Sequence, residues 1–186
     1  MLVIVDYGIG NLGSLYNMFS HIGANVSISS NIKVIKNAEK LILPGVGSFD
    51  AAINKLNEFK LIPTLNNFVL EQKKPILGIC LGMQLMTQNS EEGNFSGLSW
   101  IKAYTKKIPI SQNIKVPHMG WNNIKIKKSS KLFREISNDQ RFYFANSYYV
   151  ECINNEDVIA EVDYGTILHV AINRENIYGV QFHPEK

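Results

Sequence analysis

Pro75-Ile76-Leu77-Gly78-Ile79-Cys80-Leu81-Gly82-Met83-Gln84 is the stretch that decides the fold. It opens as a short apolar run of buried-strand type and breaks at a cysteine with a glycine two residues away on each side. It then continues as Leu81-Gly82-Met83-Gln84-Leu85-Met86, which has the character of a helix start. This is a cysteine version of the strand–nucleophile–helix elbow. So sharp a turn strains the backbone at the nucleophile and requires small neighbours. The positive end of the following helix favours thiolate over thiol.

A nucleophilic cysteine needs a base, and the base needs an orienting group. His183-Pro184-Glu185 supplies both. In an extended segment the two side chains point to one side, and Pro184 disfavours a helical His183. Glu185 then holds one ring nitrogen while the other faces Cys80, which is triad logic with sulfur as nucleophile. Taken alone, Cys80 would read as a buried apolar-like residue and His183 as a turn histidine. The flanking glycines, the helix behind them and the His-x-Glu pair favour chemistry.

Working outward, Leu2-Val3-Ile4-Val5 is a uniformly apolar, buried-type strand. Leu12, Leu15, Phe19 and Ile22 recur at helical spacing and Gly23 is a stop. Val26 and Ile28 mark a second strand, and Lys40-Leu41-Ile42-Leu43 a third that ends at Pro44. Helical patterns follow around Phe49–Leu56 and Ile62–Glu71, before the strand into Cys80. Strands alternating with helices predict an α/β fold: an open, mainly parallel sheet flanked by helices, with ligands at the carboxyl ends of its strands. Asp6–Asn11, Pro44–Ser48 and Cys80 all fall at such ends. The second half carries short strand patterns at Trp100–Ile108, Asn122–Lys127, Phe142–Val150, Val158–Asp163, Leu168–Asn173 and Tyr178–Phe182. These predict additional antiparallel strands, with Asn173-Arg174-Glu175-Asn176 a hairpin loop. No linker interrupts residues 1–186, and one domain is expected.

The chain has 186 residues, 45% hydrophobic and 19% charged, values ordinary for one soluble domain. A net charge of +3 does not argue for nucleic acid. Lys125, Lys127, Lys128 and Lys131 alternate with isoleucines and run into Ser129-Ser130, the pattern of a solvated strand end. Cys80 and Cys152 suggest no disulfide framework. No apolar run approaches membrane-spanning length and no leader pattern opens the chain, so a cytoplasmic enzyme fits. His21, His118 and His169 lack ligand spacing with cysteines or carboxylates. No metal and no cofactor is expected, and His21 reads as structural.

Gly78-Ile79-Cys80-Leu81-Gly82-Met83-Gln84 and Gly179-Val180-Gln181-Phe182-His183-Pro184-Glu185 resemble the two catalytic signatures of class I glutamine amidotransferases. Within that family, Asp6-Tyr7-Gly8-Ile9-Gly10-Asn11, Pro44-Gly45-Val46-Gly47 and Val116-Pro117-His118-Met119-Gly120-Trp121-Asn122 resemble the glutaminase subunit of imidazole glycerol phosphate synthase, the HisH type. Met83 agrees, because several sibling amidotransferases carry histidine there. The resemblance spans Leu2 to Lys186.

It implies that Cys80 attacks the side-chain amide of glutamine, that His183 protonates the departing nitrogen, and that water resolves a glutamyl thioester. The oxyanion needs backbone donors, each worth about 3 kcal/mol of barrier. Leu81 N–H is one, and glycines at Gly45 and Gly47 free the backbone to offer Val46 N–H as the second. Gln84 is placed to bind the amino-acid end of glutamine, a role the family shares with the backbone at Ser147-Tyr148. Where the HisH pattern has histidine this chain has Asn146, which hydrogen-bonds but cannot titrate.

Ammonia released into water is lost as ammonium, so a synthase must dock over the site. The resemblance implies a heterodimer with a (β/α)₈-barrel cyclase of histidine biosynthesis. Asn11, Trp121, Tyr143 and Lys186 are the matched interface residues, and a further helix is implied after Lys186. Asn146 keeps open a paralogue that supplies ammonia for amidination of a surface-sugar precursor. The intact triad disfavours a noncatalytic scaffold, and Gln84 with the Pro-His-Met-Gly-Trp segment disfavours a peptidase.

Overall fold

The structure is a computed structural model of residues 1–186, and it describes all of them except 112–113 and 137–139. Four short strands build the first half: β1 (Leu2–Val5), β2 (Val26–Ser29), β3 (Lys40–Leu43) and β4 (Ile76–Ile79). Between them run the helices α1 (Leu12–His21), α2 (Ile32–Asn37), α3 (Phe49–Glu58) and α4 (Ile62–Asn66), the last extended by a wider turn over Asn67–Glu71. A short helix α5 (Leu81–Gln84) follows β4 directly. The second half adds β5 (Asn89–Ser90), β6 (Ala103–Lys107), β7 (His118–Asn123), β8 (Lys125–Ile126), β9 (Arg141–Asn146), β10 (Tyr148–Cys152), β11 (Val158–Asp163), β12 (Ile167–Arg174) and β13 (Ile177–Val180).

The main sheet runs β2-β1-β3-β4-β13-β12-β10-β6-β5, with β11 beside β12 and β8 beside β11. From β2 to β13 every pairing is parallel. β12 and β10 then reverse direction, which is the added antiparallel half. β7 and β9 stand apart as a two-stranded antiparallel ribbon. The fold class predicted from the sequence is the one observed.

The apolar strands are apolar because both faces are covered. Val3, Val5, Leu41 and Leu43 enter one core with Phe49, Leu56 and Phe68. Ile4 and Ile42, one residue out of phase, enter a second core with Leu15, Phe144 and Phe182. The two-residue strand period thus divides β1 and β3 between the faces. In α1, Leu12, Leu15 and Phe19 pack as their spacing implies, but Ile22 is the C-cap and is 69% exposed. Gly23 at φ +78° is the stop.

Two expected strands are drawn differently. Asn122–Lys127 is split at buried Ile124, and β7 starts as early as His118. Phe142–Val150 is two strands broken at Ser147: β9 joins the β7 ribbon, whereas β10 enters the main sheet against β6. The hairpin between β12 and β13 turns through Glu175-Asn176. Among the described residues, no helix is long and apolar enough to cross a membrane.

Candidate active site

The elbow forms as its residues require. Cys80 has φ 54° and ψ −113°, a left-handed backbone that a non-glycine residue adopts only when its surroundings impose it. Its N–H donates to the Val180 carbonyl at 2.8 Å, and its carbonyl accepts from Met83 N–H at 3.0 Å. Strand β13 and the first turn of α5 therefore hold Cys80 from both sides. Helix α5 is shorter than the sequence pattern suggested, four residues with every one buried. The favourable dipole at Cys80 is thus that of about one turn rather than of a long helix.

His183 follows β13. Its N–H donates to the Tyr143 carbonyl at 2.9 Å, which ties the β9 ribbon to the segment that carries His183 and Glu185. His183 Nδ1 lies 2.9 Å from Glu185 Oε1, and the two side chains are only 11% and 3% exposed. Hydrogen bonding to Cys80, and then to Glu185, holds the imidazolium and raises the His183 pKa from 6.5 to about 10, against the opposing effect of burial. At Glu185 burial disfavours charge, but the His183 hydrogen bond and its other partners outweigh it and hold the carboxyl below the usual range. An imidazolium held between Cys80 and Glu185 can hand a proton to a leaving nitrogen, and the neutral ring can later take one from water.

This pair makes stability depend on pH. The His183 pKa is raised above its unfolded value, so its contribution is fully present below about 6.5 and is lost as pH rises toward about 10. Followed by NMR of the imidazole protons, the His183 midpoint should fall in Glu185→Gln and fall further in Cys80→Ala, because Cys80 is the larger cause. The alkaline loss of stability should shrink in the same order. Equal midpoints in wild type and Glu185→Gln would show that Glu185 does not hold the ring.

A cavity of about 530 Å³ opens onto these groups. Val46, Gly47, Leu81 and Gln84 line it beside Cys80, His183 and Glu185. Ser147 and Tyr148 line it as well, with the Tyr148 carbonyl 3.2 Å from Gln84 Nε2. Gly45 does not reach the lumen; it lies against the start of α5, where an added Cβ would sit 2.8 Å from Gly82 N. Gly47 at φ +93° uses the conformational freedom expected of it, and Val46 is 44% exposed.

Of the four interface candidates, Asn11, Tyr143 and Lys186 line the cavity. Trp121 does not line it but stands beside Tyr143, half exposed and edge-on at 5.8 Å between ring centroids. Asn11 also caps α1, accepting from Ser14 N–H at 3.4 Å.

Asn146 braces the Tyr148 carbonyl through Nδ2 at 2.9 Å, so its amide supports the cavity wall without a titrating group. His118, its register partner, is stacked on Phe144 and Tyr164, and burial lowers its pKa to about 4. His169 accepts the Cys152 N–H at 3.2 Å. His21 is exposed at the end of α1, so its structural reading from the sequence does not hold; it lies outside the packed face. Among the described residues, no cluster of histidines, cysteines and carboxylates has the form of a metal site.

Glu92 and Ala145 are cavity residues that the sequence reading did not assign, and Glu92 carries the charge. Glu92 lines the lumen, and burial raises its pKa. Its Oε2 accepts the Phe49 N–H at 2.9 Å, capping α3, whose own Ser48 makes no side-chain cap. In return, Asp50 accepts Asn94 and Phe95 N–H groups and anchors the loop that carries Glu92. The acidic pair Glu91-Glu92 before Gly93 is the only sequence signal, and it lacks a motif.

Comparison with known proteins agrees with this geometry. The family model described as glutamine amidotransferase class-I matches residues 3–186. "Imidazole glycerol phosphate synthase subunit HisH 2" of Methanococcus maripaludis is 47% identical over 186 residues, covering 100% of this chain and 92% of that relative. The Leptospira borgpetersenii "Imidazole glycerol phosphate synthase subunit HisH" is 43% identical, covering 100% and 93%. Among solved structures, PurLQS from Thermotoga maritima superposes with a TM-score of 0.73 at 17% identity, over 99% of this chain and 87% of that one, a likeness of fold. The elbow at Cys80, the His183–Glu185 pair and these full-length matches converge, and the chain belongs to the class I glutamine amidotransferase family, on its HisH branch.

Proposed function

We propose that this chain is the glutaminase subunit of an imidazole glycerol phosphate synthase, hydrolysing glutamine and passing the ammonia to a (β/α)₈-barrel cyclase subunit with which it forms a heterodimer in the cytoplasm. The observation that carries the reading is the His183–Glu185 pair at 2.9 Å, placed with Cys80 on one cavity. Cys80 sulfur adds to the side-chain carbonyl carbon of glutamine, and the oxygen takes up the charge. Leu81 N–H, together with Val46 N–H once the loop turns inward, stabilises that oxyanion. His183 gives its proton to the amide nitrogen, the C–N bond breaks, and ammonia departs. Water then adds to the thioester while His183 takes its proton, and the C–S bond breaks to release glutamate. Gln84 and the Ser147-Tyr148 backbone hold the amino-acid end, and the Glu92 carboxylate meets its ammonium group.

Release of ammonia without an acceptor is wasteful, so the isolated subunit should hydrolyse glutamine slowly and be stimulated by its synthase. Trp121 is the anchor for that docking: a rigid aromatic, half exposed, already supported by Tyr143. Trp121→Ala should weaken assembly by about 2 kcal/mol or more, read as the synthase concentration needed for half-maximal stimulation. Cys80 should remain labelable in that variant. An unchanged half-maximal concentration would remove Trp121 from the interface.

Restoring growth of a strain that lacks the histidine-pathway glutaminase tests the function directly. The second reading, a paralogue that feeds amidination of a surface-sugar precursor, is favoured by Asn146 in place of the HisH histidine. No growth, with soluble and labelable protein in the cell, would select it.

A further inference from the structure

Gln181 is wholly buried and its side chain sits against the nucleophile. The register explains why: β13 runs parallel to β4 with Val180 beside Ile79, so the next residue of each strand, Gln181 and Cys80, are neighbours at the strand ends. The Gln181 backbone is fixed by donation to the Val170 carbonyl at 2.9 Å.

The orientation of its amide follows from a chain of contacts that starts at a carbonyl. Tyr148 O can only accept, so the Gln84 group 3.2 Å away is its NH₂. That same NH₂ lies 3.0 Å from Gln181, which must therefore offer its oxygen there. The other end of Gln181, its NH₂, is then the group 3.5 Å from Cys80 sulfur. The Tyr148 carbonyl is itself braced by Asn146 at 2.9 Å.

We propose that Gln181 is a thiolate donor for the glutaminase reaction, oriented by Gln84 and the Tyr148 carbonyl so that its amide N–H stabilises the charged sulfur of Cys80. A donor to the charged form favours that form. At an attacking sulfur it also fixes the direction of the lone pairs. The same clamp links the glutamine-binding wall at Tyr148 to the nucleophile through three hydrogen bonds. The inference rests on Cys80 being the nucleophile.

The test is the pH dependence of Cys80 alkylation by iodoacetamide, with glutamine kinetics alongside. Gln181→Met keeps volume and removes the donor. It should move the alkylation midpoint up by about one pH unit and lower kcat roughly tenfold, with KM within about twofold. Gln84→Met leaves the donor but frees its orientation, and should move the midpoint in the same direction by less. Alkylation involves no glutamine, so this readout is independent of substrate binding at Gln84. A folded Gln181→Met protein with wild-type midpoint and kcat overturns the proposal. If that variant does not fold, an unchanged midpoint in Gln84→Met overturns it instead. Hydrolysis that persists in Cys80→Ala would sink the nucleophile assignment itself, a separate result.

Discussion

Replacing Cys80 by alanine should abolish glutamine hydrolysis, a loss on the order of 10⁴- to 10⁶-fold, as expected when a covalent nucleophile is removed. No neighbouring group replaces it. Cys152 is the other free cysteine, but it is 6% exposed, and burial, with Asp157 and Glu151 nearby, pushes its thiol up to about 12. Cys152 therefore carries almost no thiolate at neutral pH. A chloroketone analogue of glutamine should label Cys80 alone, as read by peptide mass spectrometry, and the alanine variant should take no label. Substantial hydrolysis by Cys80→Ala would end the amidotransferase chemistry proposed for this site.

Gly82→Ala is expected to be the most damaging substitution outside the triad. A Cβ there would lie 1.8 Å from the Leu43 carbonyl oxygen and 2.8 Å from its carbon. Both are backbone atoms of β3, so no rotamer change relieves the clash. Either α5 lifts off the sheet or β3 moves, and α5 carries the turn that sets Cys80. A cost of more than about 4 kcal/mol, enough to unfold many proteins of this size, is the expectation. Gly13→Ala is the control: in α1, with nothing within 4 Å, it should stabilise by roughly 0.5–1 kcal/mol. Urea denaturation midpoints measure both. A Gly82→Ala protein as stable as wild type would mean that α5 does not press on β3 as closely as described.

Gly82 also explains why the elbow is so readable in sequence. One small residue is required where α5 meets the end of β3, and another, Gly78, where β4 passes beneath it: a Cβ at Gly78 would lie 2.6 Å from Gly82 O. The Gly82 demand comes from the Leu43 backbone, far earlier in the chain, but the Gly78 demand acts between residues close in the chain, so it leaves a fixed spacing around Cys80. The same holds for His183 and Glu185, two residues apart and joined by one hydrogen bond. The parallel half of the sheet is legible for a related reason. Burial on both faces demands unbroken apolar runs, and Leu2–Val5 and Leu41–Leu43 have them.

What tertiary structure alone decided lies in contacts between residues far apart in the chain. Phe142–Val150 reads as one strand-forming run with only the polar pair Asn146-Ser147 inside it, and that pair alone does not say that the chain leaves the β7 ribbon there for the main sheet. Only the competing partners, β7 for one half and β6 for the other, make the division. Glu92 belongs to the cavity because the first turn of α3, 43 residues earlier, needs a cap. Gln181 faces Cys80, 101 residues away, because two parallel strands fall into one register. Chemistry confined to neighbours in sequence pointed to the proposed nucleophile and its base, and burial on both faces to the parallel sheet. The groups that surround them are set by the pairing of strands and the capping of helix ends, because backbone hydrogen bonds must be satisfied by whichever partner the assembled fold brings near.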